Sequence, residues 1–412
     1  MCNSVFEVLI KKREPYHFEQ NYEKGEVNIM ITRADRDPIA NWWWTIDRSI
    51  FAACLILMGI GIMLSFAASP TIAKKIGIAD SFYFVRWHII FSIPAFFVMV
   101  TISFFSLRNI RRLCALLLIV TLVLMVATLF WGPELKGARR WIPLFGISVQ
   151  ASEFMKPAFV VISAWLFSEQ VGRKGIPGHS LATILYVFCS VLLVLQPDIG
   201  QTLLMSATWG GLFFVAGMPL SIILLFLILG VLGSVLAYLF LHHVRERIDG
   251  FLTGEGNTFQ VDVGREAILN GGWFGRGPGE GTVKRIIPDS HTDFVFSVAA
   301  EEYGIILCLL IMMLFGFIVM RSLYIALNTR DSFTRLGITG IAMMIGFQSA
   351  INMAVNLHLI PPKGMTLPFI SYGGSSMVAI ALSMGILLSL TRRWPEARLS
   401  AFSSSSVLDT NL

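Results

Sequence analysis

Charge is what this chain lacks. Only 14% of its 412 residues are Asp, Glu, Lys or Arg, against about 25% in an ordinary soluble domain. The deficit excludes a solvated globule. With 55% hydrophobic residues and a mean hydropathy of +0.71, the chain falls among polytopic membrane proteins. Cysteine is scarce as well: Cys54, Cys114, Cys189 and Cys308 lie in apolar runs and Cys2 at the N-terminus. Their spacing supplies neither a metal site nor a loop disulfide. No cleavable leader is visible, because the first 47 residues are polar and charged. The net charge of +6 is dispersed between apolar runs, which argues against nucleic acid as a partner and makes the charge a reporter of topology.

What the chain has in abundance is helix-length apolar sequence. Hydropathy predicts about ten spans, at 49–67, 86–106, 113–131, 154–168, 181–196, 201–217, 219–241, 293–321, 334–356 and 370–391. The expected fold is an all-α polytopic membrane protein with a membrane domain at 48–393, flanked by tails at 1–47 and 394–412. The Ser-rich end reads as disordered. The fourth to sixth spans are short or interrupted, at Lys156 and at Gln196 to Gly200, as happens where helices line a polar interior. The basic loops Arg108–Arg112, Gly172–Gly175, Arg321–Arg335 and Thr391–Arg393 fall on one side, together with the tail bearing Lys11, Lys12 and Arg13. Positive-inside then puts both termini in the cytoplasm.

That orientation gathers three unusual segments on the outer face. The first carries Arg139, Arg140 and Trp141, then Glu153 and Lys156. The second is the long polar loop 242–292, with the run Asn270–Gly281 (NGGWFGRGPGEG), delivering Asp293 to the next span. The third is Pro361–Ser376 (PPKGMTLPFISYGGSS). Outward-facing cations oppose the topological trend and suit an anionic ligand such as a lipid diphosphate. Each residue also has a plainer reading. Arg139 and Arg140 are long enough to snorkel to headgroups, and Trp141 fits an interfacial belt. Glu153 and Lys156 can form an i,i+3 ion pair. Asp293 can cap the helix that follows it. The glycine run has no following Lys-Ser/Thr and no preceding strand, so it is not a nucleotide loop. Glu301 and Glu302, costly inside a span unless paired, are expected to orient neighbouring helices. Asp293 and Glu301 are separated by about 12 Å of helical rise, too far for an inverting acid–base pair.

Several segments carry a resemblance: KGARRWI and QASEFMK, QPDIGQ, FQVDVGREAILNGGWFGRGPGEG, PDSHTDFVFSVAAEEYG and PPKGMTLPFISYGGSS. In order and spacing they resemble the SEDS family (shape, elongation, division and sporulation) over roughly residues 40–393. The WWWTIDR segment and the Lys before Gly364 look more like its division branch than its elongation branch. The resemblance implies a ten-span peptidoglycan glycosyltransferase working with a class B penicillin-binding transpeptidase and other divisome membrane proteins, in the inner membrane at the division septum.

It further implies that Asp293 is the essential aspartate. Arg140, Trp141, Glu153, Lys156, Gln196, Asp198, Gln260, Lys363 and Ser371 become substrate-binding candidates. The chain departs from the family pattern at Ala151, where Pro is usual, at Phe259, and at Val263-Gly264, where Gln-Ser is common. The implied reaction joins the GlcNAc 4-hydroxyl of lipid II to the MurNAc anomeric carbon of an undecaprenyl-diphosphate-linked glycan, with inversion. Asp293 would be the general base, and Arg140, Lys156, Lys363 or a divalent cation (Mg2+ or Mn2+) would offset the leaving diphosphate. No organic cofactor is implied, and the sequence assigns no metal ligands. The competing readings are a lipid II flippase, an elongation-type polymerase and a divisome scaffold.

Overall fold

The structure is a computed structural model that describes residues 38–392, apart from 135–137, 145, 173–176, 241–243, 246–247, 251–258, 288 and 362–363. Both predicted tails beyond those limits, Lys136, Gly137, most of the 172–175 basic loop and Lys363 therefore lie outside the described residues. A short helix, α1 (Pro38–Thr45), closes an N-terminal unit, Met1–Trp44; everything below concerns the second unit, Thr45–Leu412.

Helices occupy every range that hydropathy predicted. They are α2 (Arg48–Lys75), α3 (Tyr83–Ser103), α4 (Leu107–Trp131), α5 (Ala151–Gly172), α6 (Gly178–Leu195), α7 (Ile199–Val215), α8 (Leu220–Phe240), α10 (Val295–Leu327), α11 (Ser332–Asn356) and α12 (Gly374–Leu390). Among the described residues, six of them are long and apolar enough to cross a membrane: α2, α3, α4, α6, α10 and α11. The protein is a multi-pass membrane protein. Helix starts follow local chemistry: the carboxylates of Asp47, Asp198 and Asp331 and the hydroxyl of Ser106 accept main-chain N–H groups at the first turns of α2, α7, α11 and α4.

The centre of the bundle is α12, buried along its length against α3 and α5, with α5 in turn lying against α4 and α11. Small residues set these approaches, as expected where lipid supplies no hydrophobic drive between helices. A Cβ on Gly385 would lie 2.8 Å from the Met99 carbonyl, and one on Gly340 would lie 2.6 Å from Val160 Cγ1.

Two features depart from a purely helical expectation. Residues Ile142–Leu144 (β1) and Ile147–Val149 (β2) pair as a small antiparallel hairpin, turned by Gly146 at φ 81°. The long loop holds an amphipathic helix, α9 (Phe259–Gly271), and a 3-10 turn at Val283–Arg285. Val263 and Ala267 of α9 bury into a cluster with Val283, Ile287, Phe294 and Val355, which seats the loop on α10 and α11.

Candidate active site

Helix α10 starts at Val295 behind Phe294, whose side chain makes no cap bond, and Asp293 sits in the preceding turn. Its main chain is held from α11: the carbonyl of Asp293 accepts from Asn352 Nδ2 and Asn356 Nδ2, each at 3.0 Å. Asn352 also donates to the Met365 carbonyl at 2.6 Å. The side-chain oxygen Oδ1 of Asn356 accepts from Ser297 N at 3.1 Å and Ser297 Oγ at 2.8 Å. Two buried amides thus fix one peptide with every strong donor engaged, so the carboxylate starts from a set position.

The segment after α11 closes over this turn. Ser371 Oγ donates to the Thr292 carbonyl at 2.5 Å and accepts from Leu367 N at 2.7 Å, while Tyr372 N donates to the His291 carbonyl at 2.9 Å. A Cβ placed on Gly364 would come 3.3 Å from Asp293 Oδ2, so the bare main chain there borders the carboxylate. The ring of His291 lies against Phe84 and Tyr372.

A second cluster joins the other sequence candidates. Lys156 Nζ meets Glu153 Oε2 at 2.9 Å, the two side chains being 2% and 4% exposed. Glu153 Oε1 accepts from Gln201 Nε2 at 2.6 Å. Arg140 donates to the carbonyls of Gln196 and Pro197 and lies 3.8 Å from Asp198 Oδ1. Gln196 Nε2 reaches the Met125 carbonyl at 3.0 Å, and Gln150 Nε2 reaches Asp198 Oδ2 at 3.3 Å. Burial pushes the Asp198 carboxyl above the usual carboxylate range, against the lowering pull of Arg140. Arg139 stands apart in an exposed pair with Glu134 at 3.6 Å. Trp141 is half-buried at the start of the hairpin, and Gln260 lies on α9 with its side chain outside the described residues.

The two clusters are connected through Gln348 of α11. Lys156 donates to Gln348 Oε1 at 3.0 Å, and Gln348 Nε2 donates to the Thr366 carbonyl at 3.0 Å, two residues from Gly364. Thr366 and Ser376 share a hydroxyl contact of 2.7 Å, and Gln150 N reaches Ser375 Oγ at 3.4 Å. Gln348, Asn352 and Asn356 recur at intervals of four on an otherwise apolar helix. That spacing was the available signal for them, since polar groups on one face of a membrane helix meet a polar partner.

Glu301 and Glu302 hold the long loop in addition to neighbouring helices. Glu301 accepts from Val283 N and Lys284 N, both at 2.7 Å. Lys284 Nζ pairs with Glu302 and donates to the Ala67 carbonyl of α2 at 3.0 Å. The glycine run wraps this pair: a Cβ on Gly271 would meet the Ala300 carbonyl at 1.9 Å, and one on Gly275 would meet that of Glu302 at 2.1 Å. The run is rich in glycine because two backbones touch there. Lys284 was not singled out in the sequence, where one loop lysine carries no periodicity. The Val263-Gly264 departure has its own logic: Val263 is buried, and a Cβ on Gly264 would lie 3.1 Å from the Phe294 ring.

A family model described as "Cell cycle protein", that of FtsW, RodA and SpoVE, matches residues 47–394. The chain belongs to this family. A relative from Caulobacter vibrioides, named probable peptidoglycan glycosyltransferase FtsW, is 44% identical over 373 residues, covering 89% of this chain and 94% of the relative. One of the same name from Trichlorobacter lovleyi is 33% identical, covering 84% and 93%. Among solved structures, a chain from work titled "Structural coordination of polymerization and crosslinking by a peptidoglycan synthase complex" superposes with a TM-score of 0.72 at 26% identity, covering 85% of this chain and 98% of that one. The rod shape determining protein RodA of Thermus thermophilus gives 0.61 at 25% identity, covering 85% and 97%. The SEDS fold expected from the motifs is therefore the fold of this family member.

Proposed function

We propose that this protein is a peptidoglycan glycosyltransferase that polymerises lipid II, in the division role of its FtsW relatives. The observation that carries the reading is the Asp293 turn, gripped by Asn352 and Asn356 and bordered by the bare main chain at Gly364. A carboxylate with a fixed main chain beside a membrane helix suits proton abstraction from a sugar hydroxyl. The GlcNAc 4-oxygen attacks the anomeric carbon of the growing chain as Asp293 takes its proton. The carbon–oxygen bond to the diphosphate breaks, and undecaprenyl diphosphate leaves with the electron pair. Arg140, half-buried beside Asp198, is the described cation best placed to offer an exposed edge to phosphate. Lys156, 2% exposed, acts through Gln348 on the segment bordering Asp293. Among the described residues no three His, Cys, Asp or Glu side chains converge. A divalent cation, Mg2+ or Mn2+, would supply positive charge for the leaving diphosphate.

The family and the basic loops support a chain with both termini in the cytoplasm and its Asp293 face outward, acting at the septum with a class B penicillin-binding transpeptidase and other divisome membrane proteins. The test is polymerisation of lipid II by purified protein in detergent with that partner, where no second compartment exists for a flippase to serve. Asp293→Asn keeps size and main-chain contacts and removes the base. It should lower turnover by about 10²–10⁴-fold at normal membrane abundance. Near wild-type turnover by this variant would end the general-base assignment, and no polymer in detergent together with lipid II transport by the same protein in sealed proteoliposomes would replace the enzyme with a flippase.

A further inference from the structure

The segment Gly271–Gly277 is irregular, yet α10 satisfies its main chain. Arg276 N and Gly277 N donate to the carbonyls of Glu301 and Glu302 at 2.8 and 3.0 Å. Ile305 N and Ile306 N donate to those of Gly272 and Trp273 at 3.0 and 3.4 Å. Non-helical backbone is tolerated at membrane depth only when protein pairs it in this way. Gly304, at φ 79°, breaks α10 at this level. The straight part that follows, Ile305–Leu327, rises about 34 Å and matches a hydrocarbon core of about 30 Å. The first turn of the membrane-crossing segment therefore lies beside Trp273.

Here three large apolar side chains stand exposed: Trp273 at 65%, Phe274 at 82%, and Leu269, at the end of α9, at 71%. Next to them α10 presents Ile306, Leu310 and Met313 outward. The patch is thus continuous with a face that meets acyl chains, and tryptophan favours that boundary. We infer that Leu269, Trp273 and Phe274 form an interfacial anchor embedded in the lipid leaflet on the Asp293 side. The glycine run packs tightly against α10 so that these three side chains meet lipid instead of solvent. The anchor fixes the height of the long loop, and of the turn it delivers, relative to the headgroups. This holds whatever reaction Asp293 performs.

The experiment uses the full chain with Cys2→Ser and Phe274→Cys, the four membrane cysteines being buried. The new thiol carries an environment-sensitive fluorophore, and the protein sits in nanodiscs of phosphatidylethanolamine and phosphatidylglycerol. Spin-labelled phosphatidylcholine should remove about half of the emission or more, while aqueous iodide should leave it nearly unchanged, as for a side chain at the acyl boundary. Glu280→Cys, an exposed site past the anchor, should give the reverse pattern. Quenching of the Phe274→Cys label by iodide and not by spin-labelled lipid would overturn the anchor. Shielding from iodide that arises only when the transpeptidase is added would overturn it too, and make the patch a protein interface.

Discussion

Among the described residues two buried lysine–glutamate pairs are wired differently. Lys284–Glu302 is enclosed by main chain: Ala67 supplies a carbonyl, Glu301 holds the adjacent peptides, and glycines close around them. Lys156–Glu153 is enclosed by side-chain amides, Gln201 on one oxygen and Gln348 on the ammonium. Amides can turn, whereas main chain cannot. The first pair is a fastening; the second can transmit a disturbance to the segment that borders Asp293.

The largest expected effect tests the fastening. Lys284→Met leaves Glu302 buried without its cation, which costs about 3–5 kcal/mol when one partner of such a pair is removed. The protein should vanish from membranes on immunoblots. Adding Glu302→Leu should recover abundance, because replacing both members by apolar groups is far milder.

Next comes the swap Glu153→Lys with Lys156→Glu. The attraction survives, so abundance should stay near wild type. A carboxylate at 156, however, demands the NH2 end of Gln348, which turns its oxygen onto the Thr366 carbonyl it now donates to. Lipid II turnover should fall by about tenfold or more, in the way small misplacements near a reacting group do. An active swapped variant would make the second pair a fastening like the first.

A smaller change is expected from Asn352→Ala, which removes one of two grips on the Asp293 peptide. The prediction is a fall in kcat of about tenfold with KM little changed, since position of the base matters more than affinity. A rise in KM alone would place Asn352 in substrate binding instead. The smallest contrast is at the arginines. Arg140→Ala should impair turnover several-fold, while Arg139→Ala, which breaks an exposed pair worth about 0–1 kcal/mol, should be neutral.

The sequence made the helices legible because most apolar runs are long, and even the interrupted ones, broken at Lys156 and at Gln196 to Gly200, keep helix-length apolar stretches. The break in α10 was hidden, since Gly304 within an apolar run looks the same whether straight or bent. The hairpin at 142–149 and helix α9 were hidden too, because elements that short depend on contacts made elsewhere. At the site, Glu153 with Lys156 was readable from an i,i+3 interval, and the structure joins them. Asp293 stood out as a carboxylate delivered to an apolar run, and the structure places it in the turn just before α10. The asparagines of α11 showed only as a four-residue spacing that did not name their partner, Asp293, 59 and 63 positions away, while Lys284, bonded to Glu302 18 positions on and to Ala67 217 positions back, had no local signal at all.

The lysine fastening also orders the protein's biogenesis. Lys284 lies in chain before both of its acidic partners, while Ala67 is made long before either. A ribosome that has finished the long loop has therefore produced a cation with half its seat, and the loop has nothing to close on until Glu301 and Glu302 emerge. Insertion of α10 is thus the step at which the long loop is sealed to the bundle.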